Sequence, residues 1–166
     1  MKKILTAIAV VLLVSAALIS CKTKEDEPQT QIPNPMVEEK NSDAFEAVGI
    51  KLEAPEEASD VKYYIIAGEL AQITFALDGD EYTFRAAKTD EDISGICEVF
   101  EEDTHIIKKT SDDGEVDISV KRTKNGAYVG SWRLGETQYS LSCLSGIESD
   151  KMYQACDALF ELVLSR

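Results

Sequence analysis

Apolar side chains recur at every second position in several short runs between residues 61 and 143. In residues 71–77, for example, Ala71, Ile73, Phe75 and Leu77 alternate with Gln72, Thr74 and Ala76. This period buries one face of a β-strand and leaves the other face in water. The same period recurs in four later runs, at residues 82–86, 116–121, 128–134 and 139–143. The pattern predicts a sheet of short strands.

Turn-forming dipeptides separate these runs. They are Asp78-Gly79, Asp113-Gly114, Asn125-Gly126 and Gly135-Glu136. A two-residue hairpin loop needs positive φ at its central positions, which Gly, Asn and Asp tolerate best. Strands joined in this way run antiparallel and follow one another through the sheet. We therefore expect an antiparallel, meandering β-sheet.

Two helices are expected to accompany the sheet. An apolar stripe runs along residues 149–164 and consists of Met152, Cys156, Leu159 and Val163, widened by Tyr153 and Phe160. A short helix is predicted to start at Ser42-Asp43, to show Phe45 and Val48 on one face and to end at Gly49. Apolar stripes must be buried, so we expect both helices to pack on one face of the sheet in an α+β fold.

The first twenty residues have the zones of a signal peptide. Lys2 and Lys3 supply a positive start, and an apolar run follows at residues 4–18. That run is shorter than the roughly 20 residues that span a membrane, but it suits the hydrophobic region of a signal peptide. An uncleaved N-terminal membrane helix remains an alternative.

The segment Leu18-Ile19-Ser20-Cys21 resembles the lipobox of bacterial lipoproteins. The resemblance implies a diacylglyceryl group on the Cys21 thiol, cleavage before Cys21, and acyl chains such as palmitate holding the mature chain on a membrane. Two or more acyl chains give a stable anchor. An ordinary signal peptide with an incidental Cys21 is the other alternative. We expect a lipid-anchored protein on the extracytoplasmic side of a cell membrane.

Residues 21–41 are predicted to be a flexible linker. Three of the four prolines lie there, and large apolar residues are scarce before Met36 and Val37. Such a composition favours an extended tether over a packed structure. Residues 42–166 then form a single α+β domain, which is long enough to bury a core.

Short blocks of this domain carry a family resemblance. They are Asn34-Pro35-Met36, residues 47–52 with Pro55 after them, residues 82–88, and residues 92–95. Together they resemble a domain of unknown function in small lipoproteins and secreted proteins of Gram-positive anaerobes. The resemblance implies an α+β fold and an extracytoplasmic address, but no activity, substrate or catalytic residue. Ile96-Cys97 departs from the more polar continuation expected there.

The net charge of −14 limits the classes of partner. Nucleic-acid binding depends on Lys and Arg contacts to phosphates, and a membrane-docking face is polybasic. Both are disfavoured for a chain with 31 acidic and 17 basic residues. An acidic surface instead attracts cations and basic partners.

No catalytic or metal-binding pattern stands out. His105 is the only histidine, whereas a catalytic triad needs a nucleophile and an acid around its histidine, and common zinc sites need several His or Cys. We expect His105 to be an exposed strand residue, and no cofactor. Three acidic groups offer oxygen ligands for Ca²⁺ without fitting its twelve-residue loop: Asp78/Asp80/Glu81, Asp90/Glu91/Asp92 and Asp112/Asp113/Glu115/Asp117.

The remaining chemistry-bearing residues are interpreted conservatively. Cys97, Cys143 and Cys156 are favoured as small buried hydrophobes, although one disulfide with a leftover thiol stays open. Arg85 and Arg133 are expected in surface salt bridges, with an anionic ligand as the alternative. Six aromatic residues are expected to complete the core, with a recognition face as the alternative: Tyr63, Tyr64, Tyr82, Tyr128, Trp132 and Tyr139.

These observations favour a non-enzymatic accessory module that binds a small ligand or an extracytoplasmic protein. One alternative is a surface hydrolase that uses paired carboxylates. The other is a carrier that holds an apolar ligand between sheet and helix.

Overall fold

The computed structural model describes residues 35–165, so the predicted signal peptide and Cys21 lie outside the described residues. A 3₁₀ helix spans Ser42–Val48 and an α-helix, α1, spans Ser149–Leu164. Eight strands complete the fold: β1 Met36–Glu39, β2 Ser59–Ile66, β3 Leu70–Leu77, β4 Asp80–Ala87, β5 Phe100–Ser111, β6 Gly114–Thr123, β7 Tyr128–Leu134 and β8 Thr137–Cys143.

The strands form one antiparallel sheet in the order β1-β2-β3-β4-β8-β7-β6-β5. Each half of the sheet, β1–β4 and β5–β8, is a meander of consecutive strands, and the two halves join where β4 pairs with β8. The predicted antiparallel sheet and the α+β class are confirmed. The joint makes β4 and β8 central, and it leaves β1 and β5 at the edges.

The five alternating runs of the sequence correspond to β3, β4, β6, β7 and β8. The structure corrects the predicted linker, because β1 lies within residues 21–41 and pairs with β2 from Met36 to Glu39. Three of the four β1 side chains are exposed. Backbone pairing therefore holds β1 in place. Because its side chains need no buried face, the sequence of β1 shows no alternation of apolar and polar residues.

One face of the sheet carries the core. The register places Ile73 opposite Phe84, and Phe84 opposite Leu141, and all three are fully buried. The Phe84 ring stacks on Trp132 at a centroid distance of 5.7 Å and on Tyr139 at 6.2 Å. Directly opposed residues of antiparallel strands share a face, so the core extends across the joint between the two meanders.

The helix α1 closes this core with the predicted bounds and stripe. Met152, Cys156, Leu159 and Phe160 are buried. A Cβ atom at Gly130 of β7 would collide with Sγ of Cys156, which shows how closely the helix approaches the sheet. Of the described residues, no helix has the length and apolar character needed to cross a membrane.

The short helix predicted to start at Ser42-Asp43 is present as a 3₁₀ helix. Its Phe45 is fully buried, with its ring 6.0 Å from that of Tyr63. Gly49 ends the helix with φ of 68°, the left-handed conformation that glycine adopts without strain. Phe45 and Met152 belong to the same buried cluster, so both helices contribute to one core.

Candidate functional site

The second face of the sheet is polar. A row of directly opposed residues crosses it from β3 to β7, namely Gln72, Arg85, Ser140 and Ser131. Gln72 and Ser140 are buried, although they lie on the side away from the apolar core. The loop that joins central β4 to edge strand β5, residues 88–99, lies over this face.

Two arginines of the sheet hold this loop. Arg133 donates from Nη2 to the Thr89 carbonyl at 2.6 Å and pairs with Asp90 at 2.9 Å. Arg85 donates from Nη1 to the Ile93 carbonyl at 3.1 Å. The predicted surface salt bridge is therefore confirmed for Arg133. It is wrong for Arg85, because the loop covers that side chain and supplies a carbonyl instead of a carboxylate.

The loop is also braced from within. Asp92 accepts hydrogen bonds from the Ser94 amide at 2.9 Å and from the Ser94 hydroxyl at 3.0 Å. Gly95 follows with φ of 69°, and a Cβ atom there would collide with Nη1 of Arg85. Glycine is thus required both by the backbone conformation and by the close approach to the guanidinium.

A cleft of about 650 Å³ lies between this loop and the turn that joins β2 to β3. Its apolar lining includes Val48 of the 3₁₀ helix, Ile66, Leu70 and Ile93. Its charged lining consists of Arg85, Lys88, Glu69, Glu91 and Asp92. Small-molecule sites have this size range and this mixture of apolar walls with a few polar groups.

Arg85 is the most distinctive group of the cleft. Its Nε donates to Oε1 of Gln72 at 2.8 Å, and burial lowers its pKa, with nearby Asp92 opposing that shift. The guanidinium stays charged, because an arginine pKa lies far above neutral pH. No carboxylate of residues 35–165 forms an ion pair with Arg85, and none of these residues accepts a hydrogen bond from its Nη2. The cleft therefore contains a partly desolvated cation with unused donors.

Comparisons of the chain with protein-family models, with curated proteins and with solved structures find no match. The resemblance to lipoproteins of Gram-positive anaerobes therefore stays a prediction. The blocks on which it rests nevertheless meet in space, because Val48, Arg85, Lys88 and Ile93 come from three of them and all line the cleft.

Sequence reasoning missed the cleft as a unit. Val48, Ile66 and Ile93 lie far apart in the chain and share no common periodic pattern. The segment Asp92-Ile93-Ser94-Gly95 was the one available signal for an ordered loop. An Asp side chain accepts hydrogen bonds from the backbone two residues on, and the Gly that follows tolerates positive φ, so this segment favours a turn.

The other candidate residues are dispersed. His105 is exposed on β5, as predicted, and its ring stacks on Tyr153 with centroids 4.1 Å apart. The three acidic groups do not converge: Asp80 pairs with Lys151, and Asp117 pairs with Lys108. Within residues 35–165, no three His, Cys, Asp or Glu side chains are grouped to hold a metal ion.

The prediction of three buried cysteines is correct for two of them. Cys143 and Cys156 are buried, and burial raises the pKa of the Cys156 thiol to about 12. The prediction is wrong for Cys97, which is exposed in the loop over the polar face. All three are free thiols.

The aromatic residues largely serve the core, as predicted. Tyr82, Trp132 and Tyr139 are buried, and burial raises the pKa of Tyr82 to about 12. Tyr63 lies opposite Ile73 on the core side. Tyr64 points to the polar face, where it lines a second groove beside β2 and β3.

Proposed function

We propose that this chain is a lipid-anchored extracytoplasmic binding module, and that its ligand occupies the cleft beside Arg85. The lipobox-like segment ending at Cys21 supports the anchor. The helices cover one face of the sheet, which leaves the polar face and its loop for recognition. The mature protein would present the cleft outside the membrane at the end of a tether.

The single observation that carries the proposed ligand site is Arg85 with its unused donors in an apolar cleft. A guanidinium binds carboxylate or phosphate through paired hydrogen bonds. The low-dielectric surroundings strengthen that attraction. We infer a small ligand with one anionic group and an apolar body, the body lying against Val48, Ile66 and Leu70.

The alternatives gain less support. The carrier function needs space between sheet and helix, but Gly130 and Cys156 are in close contact there. The hydrolase function needs a carboxylic acid whose surroundings are partly desolvated, but Glu69 and Glu91 of the cleft are exposed and Asp92 accepts two hydrogen bonds from Ser94. We therefore propose binding without catalysis.

The test uses hexanoate as probe, with hexanol and hexylamine for comparison. Ligand at about ten times its Kd adds roughly 1.4 kcal/mol to the free energy of unfolding. We expect hexanoate to raise the melting temperature, and the neutral and cationic analogues to leave it unchanged. The acidic chain repels anions in general, so a response to hexanoate reports a specific site.

Arg85→Gln should abolish the response to hexanoate. Arg133→Gln is the matched control, because Arg133 also ties the loop to the sheet but does not line the cleft. Equal responses in both variants, or a response to hexanol equal to that of hexanoate, would overturn the assignment of Arg85 as the anion anchor.

The anchor is tested by intact mass and detergent partitioning of the native protein beside Cys21→Ser. We expect diacylglyceryl mass and detergent-phase recovery for the native chain alone. Recovery of both proteins in the aqueous phase, without added mass, would contradict lipid anchoring.

A further inference from the structure

The strand β5 is an open edge of the sheet. It is the longest strand, with 12 residues, and within residues 35–165 it pairs with β6 alone. The opposite edge strand, β1, has only 4 residues. A long edge strand presents a row of unpaired backbone N–H and C=O groups that can pair with another chain.

Contacts with α1 hold this edge in position. Nζ of Lys109 lies 2.6 Å from Asp157 and 2.7 Å from Glu161. Four residues earlier on β5, the His105 ring stacks on Tyr153 of α1. The central part of β5 is thus fixed before any partner arrives, which lowers the ordering cost of binding.

The exposed charges of β5 are divided between its ends. Glu102 and Asp103 lie at the start of the strand, and neither forms an ion pair with another of residues 35–165. Lys108 lies beyond the middle, with 73% of its side chain exposed and only a 3.5 Å contact to Asp117. Between them Ile106 is 43% exposed.

We propose that β5 pairs antiparallel with β5 of a second copy of this chain, centred on Ile106, so that the two sheets become continuous. A two-fold axis at Ile106 brings the acidic end of each strand beside the basic end of the other. Lys108 then faces Thr104 of the second copy and lies diagonally across from its Glu102, on the same face of the joined sheet. The two Ile106 side chains meet at the axis and leave water.

The distribution of charge along β5 indicates that its pairing partner is a second copy of the same strand. A strand that carries both signs, acidic before Ile106 and basic after it, is complementary to itself when reversed. A two-fold interface uses the same patch on both subunits, and the strand satisfies that condition. A bulge between Phe100 and Thr104 interrupts the pairing with β6, which is regular from Thr104 to Ser111, so Ile106 lies within the regular part of the edge.

The test is sedimentation velocity of the mature chain carrying Cys21→Ser, which prevents lipid-driven micelles. We expect a concentration-dependent dimer that weakens as salt rises. Lys108→Glu and Glu102→Lys should each raise the dimer Kd at least about tenfold. The double variant Glu102→Lys with Lys108→Glu reverses both signs and should restore the dimer.

Lys51→Glu is the matched control, because it makes the same charge change at an exposed site outside β5. Circular dichroism of each variant checks that it is folded. A monomer at every concentration up to about 1 mM, or single variants that dimerise as the native chain does, would overturn the proposal. Equal weakening by Lys51→Glu would also overturn it, because general repulsion would then explain the effect.

Discussion

Replacing Gly130 with alanine tests the placement of α1 on the sheet. Gly130 lies on β7, opposite Leu141 of β8 and Val120 of β6. The added methyl group would collide with Sγ of Cys156 and would lie 3.5 Å from Cε of Met152. The backbone of Gly130 is not in the left-handed region, so any loss of stability comes from the contact with α1.

The expected magnitude follows from overpacking. Forcing an extra methyl group into a filled core costs about 1–3 kcal/mol. Alanine has a better intrinsic strand preference than glycine, which offsets only a fraction of that cost. We therefore expect Gly130→Ala to lower the free energy of unfolding by about 0.5–2 kcal/mol, the overpacking cost less the gain in strand preference, with an unchanged dependence on urea concentration.

Urea unfolding followed by tryptophan fluorescence is the suitable assay. Trp132 is the only tryptophan, it is 2% exposed, and it lies two residues from the substituted position. Its emission therefore reports the same part of the core that the substitution disturbs.

The matched variants use Cys156→Ala, which removes the sulfur that the methyl group meets. In the Cys156→Ala background, Gly130→Ala should lower the free energy of unfolding by less than it does in the native chain. The difference should be about 0.5–3 kcal/mol, the usual coupling energy between residues in contact. If Gly130→Ala costs the same with and without the Cys156 sulfur, α1 does not contact the sheet at Gly130 and the reasoning fails.

Three further predictions concern pH, thiols and charge. The free energy of unfolding should fall as the pH rises from about 9 to about 12. In the folded chain, the thiol of Cys156 and the hydroxyl of Tyr82 each have a pKa of about 12, whereas in the unfolded chain their pKa values are 9.0 and 10.0. The unfolded chain therefore loses these protons first, and its ionisation favours unfolding. Urea midpoints against pH measure this fall, and Cys156→Ala should reduce it. In the Cys21→Ser chain, a thiol reagent should modify Cys97 at once and the two buried cysteines only after unfolding; fast labelling of Cys143 would contradict its burial. Lys109→Met should destabilise the fold by at most about 1 kcal/mol, because its two carboxylate partners on α1 are half-exposed; a loss that does not shrink in high salt would point to lost packing instead of lost charge.

The sequence predicted the local structure well, because period and turn residues are local signals. The run from Ala71 to Leu77 and the stripe from Met152 to Val163 each identify an element and its buried face. The strand β1 escaped prediction, since backbone pairing holds it and its side chains are exposed.

The candidate site could not be predicted to the same extent. Arg85 was recognised as a possible anion site, but its environment depends on the loop at residues 88–99. That loop crosses the polar face only because β4 pairs with β8, a contact between distant parts of the chain. Cys97 was misjudged for the same reason, because its exposure depends on where the loop lies and not on its neighbours in sequence.

The joint between β4 and β8 also has a consequence for how the chain folds. Every other strand pair within residues 35–165 joins neighbours along the chain, whereas Tyr82 must find Cys143. Hairpins form in microseconds, and pairing distant strands requires the closure of a long loop, which is slower. We expect each meander to form early and the joint to close last. Until then, β4 and β8 are themselves open edges beside an uncovered apolar face, so the half-assembled chain is the species most prone to aggregate.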